Sequence, residues 1–96
     1  MKTQQNKIEY FCETYQWKLK SESLYKRFVL FDFKTAIHYI NEIALIAEEN
    51  NHHPKIINSY SEVEVFWRTN DMKAITEIDF KLAEQCDKIY GKLNFQ

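Results

Sequence analysis

Apolar positions in the first fifteen residues recur at spacings of three and four. Ile8, Phe11, Cys12 and Tyr15 form one stripe, which predicts an amphipathic helix capped by Thr3 and ending near Tyr15. At Trp17 the period drops to two. Trp17 and Leu19 alternate with Lys18 and Lys20, Ser21-Glu22-Ser23 reads as a turn, and Tyr25 to Phe31 reads as the second strand of a hairpin. Phe28 and Leu30 should share one face of that strand, with Arg27, Val29 and Phe31 on the other. Asp32 suits an N-cap, and Phe33, Ala36, Ile37, Ile40, Ile43, Ala44 and Ala47 then keep helical spacing without a gap. This helix should stop near Asn50-Asn51, because asparagine accepts left-handed backbone and Pro54 cannot continue the ladder.

After Pro54 two strand-like runs are expected, Lys55 to Ser59 and Glu62 to Thr69. In the second, Val63, Val65 and Trp67 alternate with Glu62, Glu64 and Arg68. Phe66 interrupts the polar side, which suggests that this face is also covered, by another subunit. Thr76 followed three residues later by Asp79 resembles a capping box with the shorter acid, and Ile78, Leu82, Cys86 and Ile89 mark a final helix to about Leu93. The order α-β-β-α-β-β-α fits an α+β domain, with one mostly antiparallel four-stranded sheet carrying helices on one face.

Composition narrows the function. Ninety-six residues imply one domain, 1–96, since domains typically run to roughly 100–150 residues, and 45% hydrophobic content suffices for one core. Thirteen Lys+Arg against fourteen Asp+Glu give a formal charge of −1, and no basic run exceeds two residues, so the footprint of a nucleic-acid binder is missing. No apolar run approaches the ~20 residues of a membrane helix. The start Met1 to Lys7 lacks the apolar segment of a signal peptide, so a cytoplasmic location without membrane attachment is expected. Cys12 and Cys86, far apart and outside any CxxC or Cys/His cluster, read as reduced packing thiols. One glycine in the whole chain excludes a Gly-rich phosphate loop.

The three histidines are not equivalent. His38, one step off the apolar stripe of its helix, reads as a partly exposed structural residue. His52-His53-Pro54 follows directly on a helix whose last turn carries Glu48, and proline biases His53 toward extended backbone. Successive extended side chains diverge, so the two imidazoles should flank a site; with no third ligand at usable spacing, a metal site is not expected. An imidazole with an ordinary pKa near ~6.5 can hold or release a proton at neutral pH, so a pair can serve as acid and base on one substrate. Two solvent-facing loop histidines are the plain alternative.

Glu48, His52-His53-Pro54, Tyr60 after five residues, a polar position nine further on and Asp79 after eight more resemble the signature of pterin-4a-carbinolamine dehydratases. Trp17, Tyr25-Lys26-Arg27-Phe28, Asp32-Phe33 and Ile43 to Glu48 are similar to that family as well, so the resemblance spans roughly residues 8 to 92. It implies dehydration of 4a-hydroxytetrahydropterin to quinonoid dihydropterin by histidine acid/base chemistry, with no metal or cofactor. It makes His52, His53 and Glu48 the catalytic group. Asn51, Pro54, Arg68, Thr69, Asn70, Asp71 and Asp79 become the substrate-binding positions, with the pterin as small-molecule partner. Relatives of this kind form dimers or tetramers, so a homodimer or homotetramer is expected. Two positions depart from the family pattern. Asn70 stands where a histidine, or occasionally a tryptophan, is usual and cannot shuttle a proton, which raises the alternative of a pterin-binding or interaction protein with weakened chemistry. Ala74 replaces a usual glycine, which argues for a differently shaped rim. Asp79 also has a purely structural reading as a helix-start carboxylate, and Trp17, Phe28 and Trp67 belong first to the core.

Overall fold

The computed structural model describes residues 2–94, with side chains from 5 to 93. The elements run α1 (Lys2–Tyr15), β1 (Lys18–Lys20), β2 (Ser23–Val29), α2 (Phe33–Glu49), β3 (Lys55–Ser59), β4 (Glu62–Trp67) and α3 (Glu77–Asn94). The strands form one sheet in the order β1-β2-β4-β3, and every neighbouring pair is antiparallel. The chain is therefore α+β with the expected order of elements. Thr3 falls inside α1, and the cap expected of its side chain lies outside the described residues.

The register decides which residues meet the helices. Leu24 pairs with Trp67 and Phe28 with Val63 across β2 and β4, and these four are buried with Val65 beneath α2 and α3. Tyr39 of α2 joins them, because its hydroxyl reaches the Cys86 carbonyl at 3.0 Å and so brings a satisfied polar tip into the core. Phe33 and Ala44, assigned to the buried stripe by spacing, face outward instead. Trp17 leaves the ladder before β1 and is buried edge-on against Phe28, its indole N–H donating to Asp87 at 3.0 Å. Lys26, on the core side of β2, satisfies its charge on the same Asp87 at 2.9 Å.

Strand ends differ from the alternation pattern where hydrogen bonding stops. β2 ends at Val29, after which the Leu30 N–H donates to the Ser61 carbonyl and Phe31 turns into solvent. The β1–β2 turn holds two residues, Ser21 and Glu22, both at positive φ (53° and 59°), and Ser23 already belongs to β2. Phe66 is buried within the chain, packed against Tyr25 with ring centroids 4.9 Å apart and covered by the Lys55 ammonium.

Candidate active site

The site begins at the end of α2. Asn50 closes the helix, the Asn51 N–H donates to the Glu48 carbonyl and the His52 N–H to the Ala47 carbonyl, at 3.2 and 3.0 Å. With Asn51 at φ 49°, this is a Schellman ending in which asparagine takes the left-handed position. The reversal projects His52 and His53 away from the helix axis, and Pro54 carries the chain into β3.

The two imidazoles then meet different surroundings. His52 turns inward: its side chain is 15% exposed, lies parallel to the buried Trp67 ring at 5.9 Å, and places Nε2 2.7 Å from Asp79 Oδ1. Asp79 is 0% exposed. Its other oxygen accepts from Thr69 Oγ1 at 2.7 Å and from the Thr76 N–H at 2.9 Å. That last bond is half of the expected capping box; the Thr76 hydroxyl pairs with Thr69 Oγ1. One buried carboxylate thus starts α3, ties it to the segment after β4 and fixes an imidazole. His53 turns outward, with Nε2 2.6 Å from Glu48 Oε2, and these side chains are 57% and 75% exposed. A carboxylate beside Nε2 favours the tautomer with its proton there, which leaves Nδ1 as the acceptor in each neutral ring.

Asn51, His52, His53, Arg68, Thr69, Asn70 and Asp71 line a concavity of about 200 Å³. Seven of the ten expected site residues therefore share one cleft. Glu48 and Asp79 stand behind the imidazoles rather than on the lining, and Pro54 lies off it, half-buried at the turn into β3. Tyr60, part of the sequence signature, is exposed at the β3–β4 turn, at the far end of β3 from the histidines. Asn70 opens a turn closed by the Lys73 N–H on its carbonyl and by the bridge between Thr69 and Ala74. The left-handed residue of that turn is Lys73, at φ 50°, so Ala74 is not asked for a glycine conformation. A second concavity of about 220 Å³ shares His53, Arg68 and Asn70 with the first and adds Ser21, Ser23, Lys55 and Phe66. Sequence reading missed this lobe; only the long-range pairing of β2 with β4 brings those serines there. Among the described residues no group of three or more His, Cys, Asp or Glu is placed to hold a metal, and no helix is long and apolar enough to cross a membrane.

A helix-backed antiparallel sheet thus carries two imidazoles, each beside a carboxylate, at one cleft. The pterin 4 alpha carbinolamine dehydratase family profile matches residues 1–89, and the chain belongs to that family, which is one of hydro-lyases. A protein of Sulfurisphaera tokodaii named as a candidate pterin-4-alpha-carbinolamine dehydratase is 37% identical over 73 residues, covering 76% of this chain and 78% of the relative. The crystal structure of a transcriptional coactivator/pterin dehydratase from Brucella melitensis matches with a TM-score of 0.83 and 28% identity, over 88% of this chain and 94% of the other. A pterin dehydratase-like protein identified as a RuBisCO assembly factor in the alpha-carboxysome shares the fold (TM-score 0.65, 21% identity, 78% and 87% covered).

Proposed function

We propose that this protein dehydrates a 4a-hydroxytetrahydropterin to the quinonoid dihydropterin, with His52 and His53 as its acid/base pair. The observation that carries the reading is the convergence on one cleft of two imidazoles, each backed by a carboxylate at hydrogen-bonding distance. Loss of water breaks the C4a–O bond as the N5 lone pair forms the C4a=N5 bond, and the N5 proton then leaves. A protonated imidazole donates to the departing oxygen while a neutral one accepts from N5, so one proton is given and one taken. Asp79 is a positioning residue here, since solvent does not reach it and both its oxygens are engaged. Glu48 does the same for His53 more loosely, because an exposed pair constrains little. Asn51, Thr69, Asn70 and Asp71 offer polar contacts to the heterocycle, and Arg68 a cation at its edge.

Asn70 favours one second reading, a pterin-binding or interaction protein of reduced activity, because its amide bonds a pterin without moving a proton. Stopped-flow absorbance with freshly made 4a-hydroxytetrahydropterin separates the two. Dehydration well above the buffer rate, cut by about 10²–10⁴ in His52→Ala or His53→Ala, is expected. A rate equal to buffer, indifferent to both substitutions, would end the dehydratase reading.

A further inference from the structure

We infer that the second lobe is a compartment for an anionic C6 substituent, so that the preferred ligand is a pterin whose side chain ends in a phosphate ester. This rests on reading the histidine cleft as the pterin site. The two concavities share His53, Arg68 and Asn70, so they adjoin, and a ligand longer than either reaches across both. At about 200 and 220 Å³, neither reaches the roughly 300 Å³ lower bound of ordinary small-molecule sites alone, and a ligand of that size must occupy both.

The chemistry of the second lobe differs from that of the first. Its wall carries the Ser21 and Ser23 hydroxyls, and its cations outnumber its anions. Lys55 holds its ammonium 5.2 Å from the Phe66 ring centre and is paired with no carboxylate among the described residues. Lys20, the register partner of Ser23, lies outside that lining, with its ammonium over Tyr25 at 4.5 Å. Arg68 has Glu22 as its ion-pair partner, at 3.0 Å, with the Glu22 side chain 76% exposed, and its buried Nε has no acceptor. An exposed pair of that kind is weak, so an incoming anion displaces Glu22 at little cost and gives the guanidinium a bidentate partner. Two lining cations, Lys55 and Arg68, with no carboxylate on the lining, concentrate positive charge beside the ring site in a chain of net charge −1.

The test is a fluorescence titration of the purified full chain with 6-methylpterin, 6-hydroxymethylpterin and the phosphate monoester of the latter, at low and at raised salt. The ester is expected to bind about tenfold or more tightly than the alcohol, with the margin shrinking in salt. In Lys55→Gln combined with Lys20→Gln the margin should fall to about twofold or less while 6-methylpterin affinity stays unchanged; both lysines are surface residues of the sheet. Equal affinity for ester and alcohol, or a preference that survives the double substitution, overturns the inference and leaves the pterin reading standing. Failure of all three pterins to bind overturns both.

Discussion

Replacing Asp79 with asparagine changes one oxygen to an amide nitrogen in a side chain that solvent does not reach. The Thr76 N–H still needs an acceptor at the start of α3, so the remaining oxygen stays on Thr76 and Thr69. The new NH₂ then faces His52 Nε2 and donates to it, which forces the imidazole proton onto Nδ1, the nitrogen assigned to the substrate. For a histidine held in the wrong tautomer by the same exchange in a serine-protease triad, the loss is about 10⁴ in turnover, and a displaced acid or base costs about 10²–10⁴ in general. Stability should suffer far less. A charge-assisted hydrogen bond of about 1.5–3 kcal/mol becomes a neutral one of about 0.5–1.5, a difference of about 1–2 kcal/mol, partly offset because no charge is buried. Asp79→Ala instead strands Thr76 N–H, Thr69 and His52 together, at about 3–5 kcal/mol. Stopped-flow dehydration alongside urea denaturation measures both: Asp79→Asn should keep most of the folding free energy and lose two or more decades of kcat. Asparagine at wild-type kcat would refute the role given to the buried carboxylate.

Asn70→His should raise kcat/KM by at least tenfold, since a proton carrier then replaces an amide at the cleft, and unchanged kinetics would remove the motive for the weakened reading. In denaturant melts His52→Ala should destabilise by about 3–5 kcal/mol by leaving Asp79 buried without its imidazole, whereas His53→Ala should be close to neutral because its pair is exposed; equal losses would contradict the burial argument. Burial pushes the Cys86 thiol up to about 12 and raises the Tyr39 phenol in the same direction. The unfolded thiol ionises near ~8.5, so the contribution is intact below that pH and is lost as pH rises toward about 12. The Tm should therefore fall above about pH 9 and fall less steeply in Cys86→Ala; a flat alkaline profile is the contrary result. Exposed Phe31, Phe33 and Leu45 motivate a homo-oligomer, and a monomer mass by light scattering at micromolar concentration would count against it.

Local signals carried much of the fold. Asp32 accepts from the Thr35 N–H at 2.8 Å as a cap should, and Asn51 takes the left-handed position that its short amide side chain permits. Where periodicity erred, a tertiary partner decided. Tyr39 enters the core because the Cys86 carbonyl waits for its hydroxyl, and Leu30 leaves the ladder at Ser61. The cleft was legible in part for the same reason. Adjacent histidines after a helix end are visible in the chain, but no spacing shows that Asp79, 27 residues away, closes on one of them, nor that Glu48 closes on the other. The serines and Lys55 of the second lobe become neighbours of Arg68 through sheet register alone, which no local pattern encodes.

In the proposed reaction His52 and His53 present Nδ1 to one planar heterocycle. A crystal structure of the protein soaked with a stable dihydropterin would show whether they do. The ring should lie in the cleft bounded by His53, Asn70 and Arg68, with both Nδ1 atoms within about 3.5 Å of its C4a–N5 edge or one water away. A pterin bound elsewhere, or seated there with either imidazole turned from that edge, would refute the paired acid/base role.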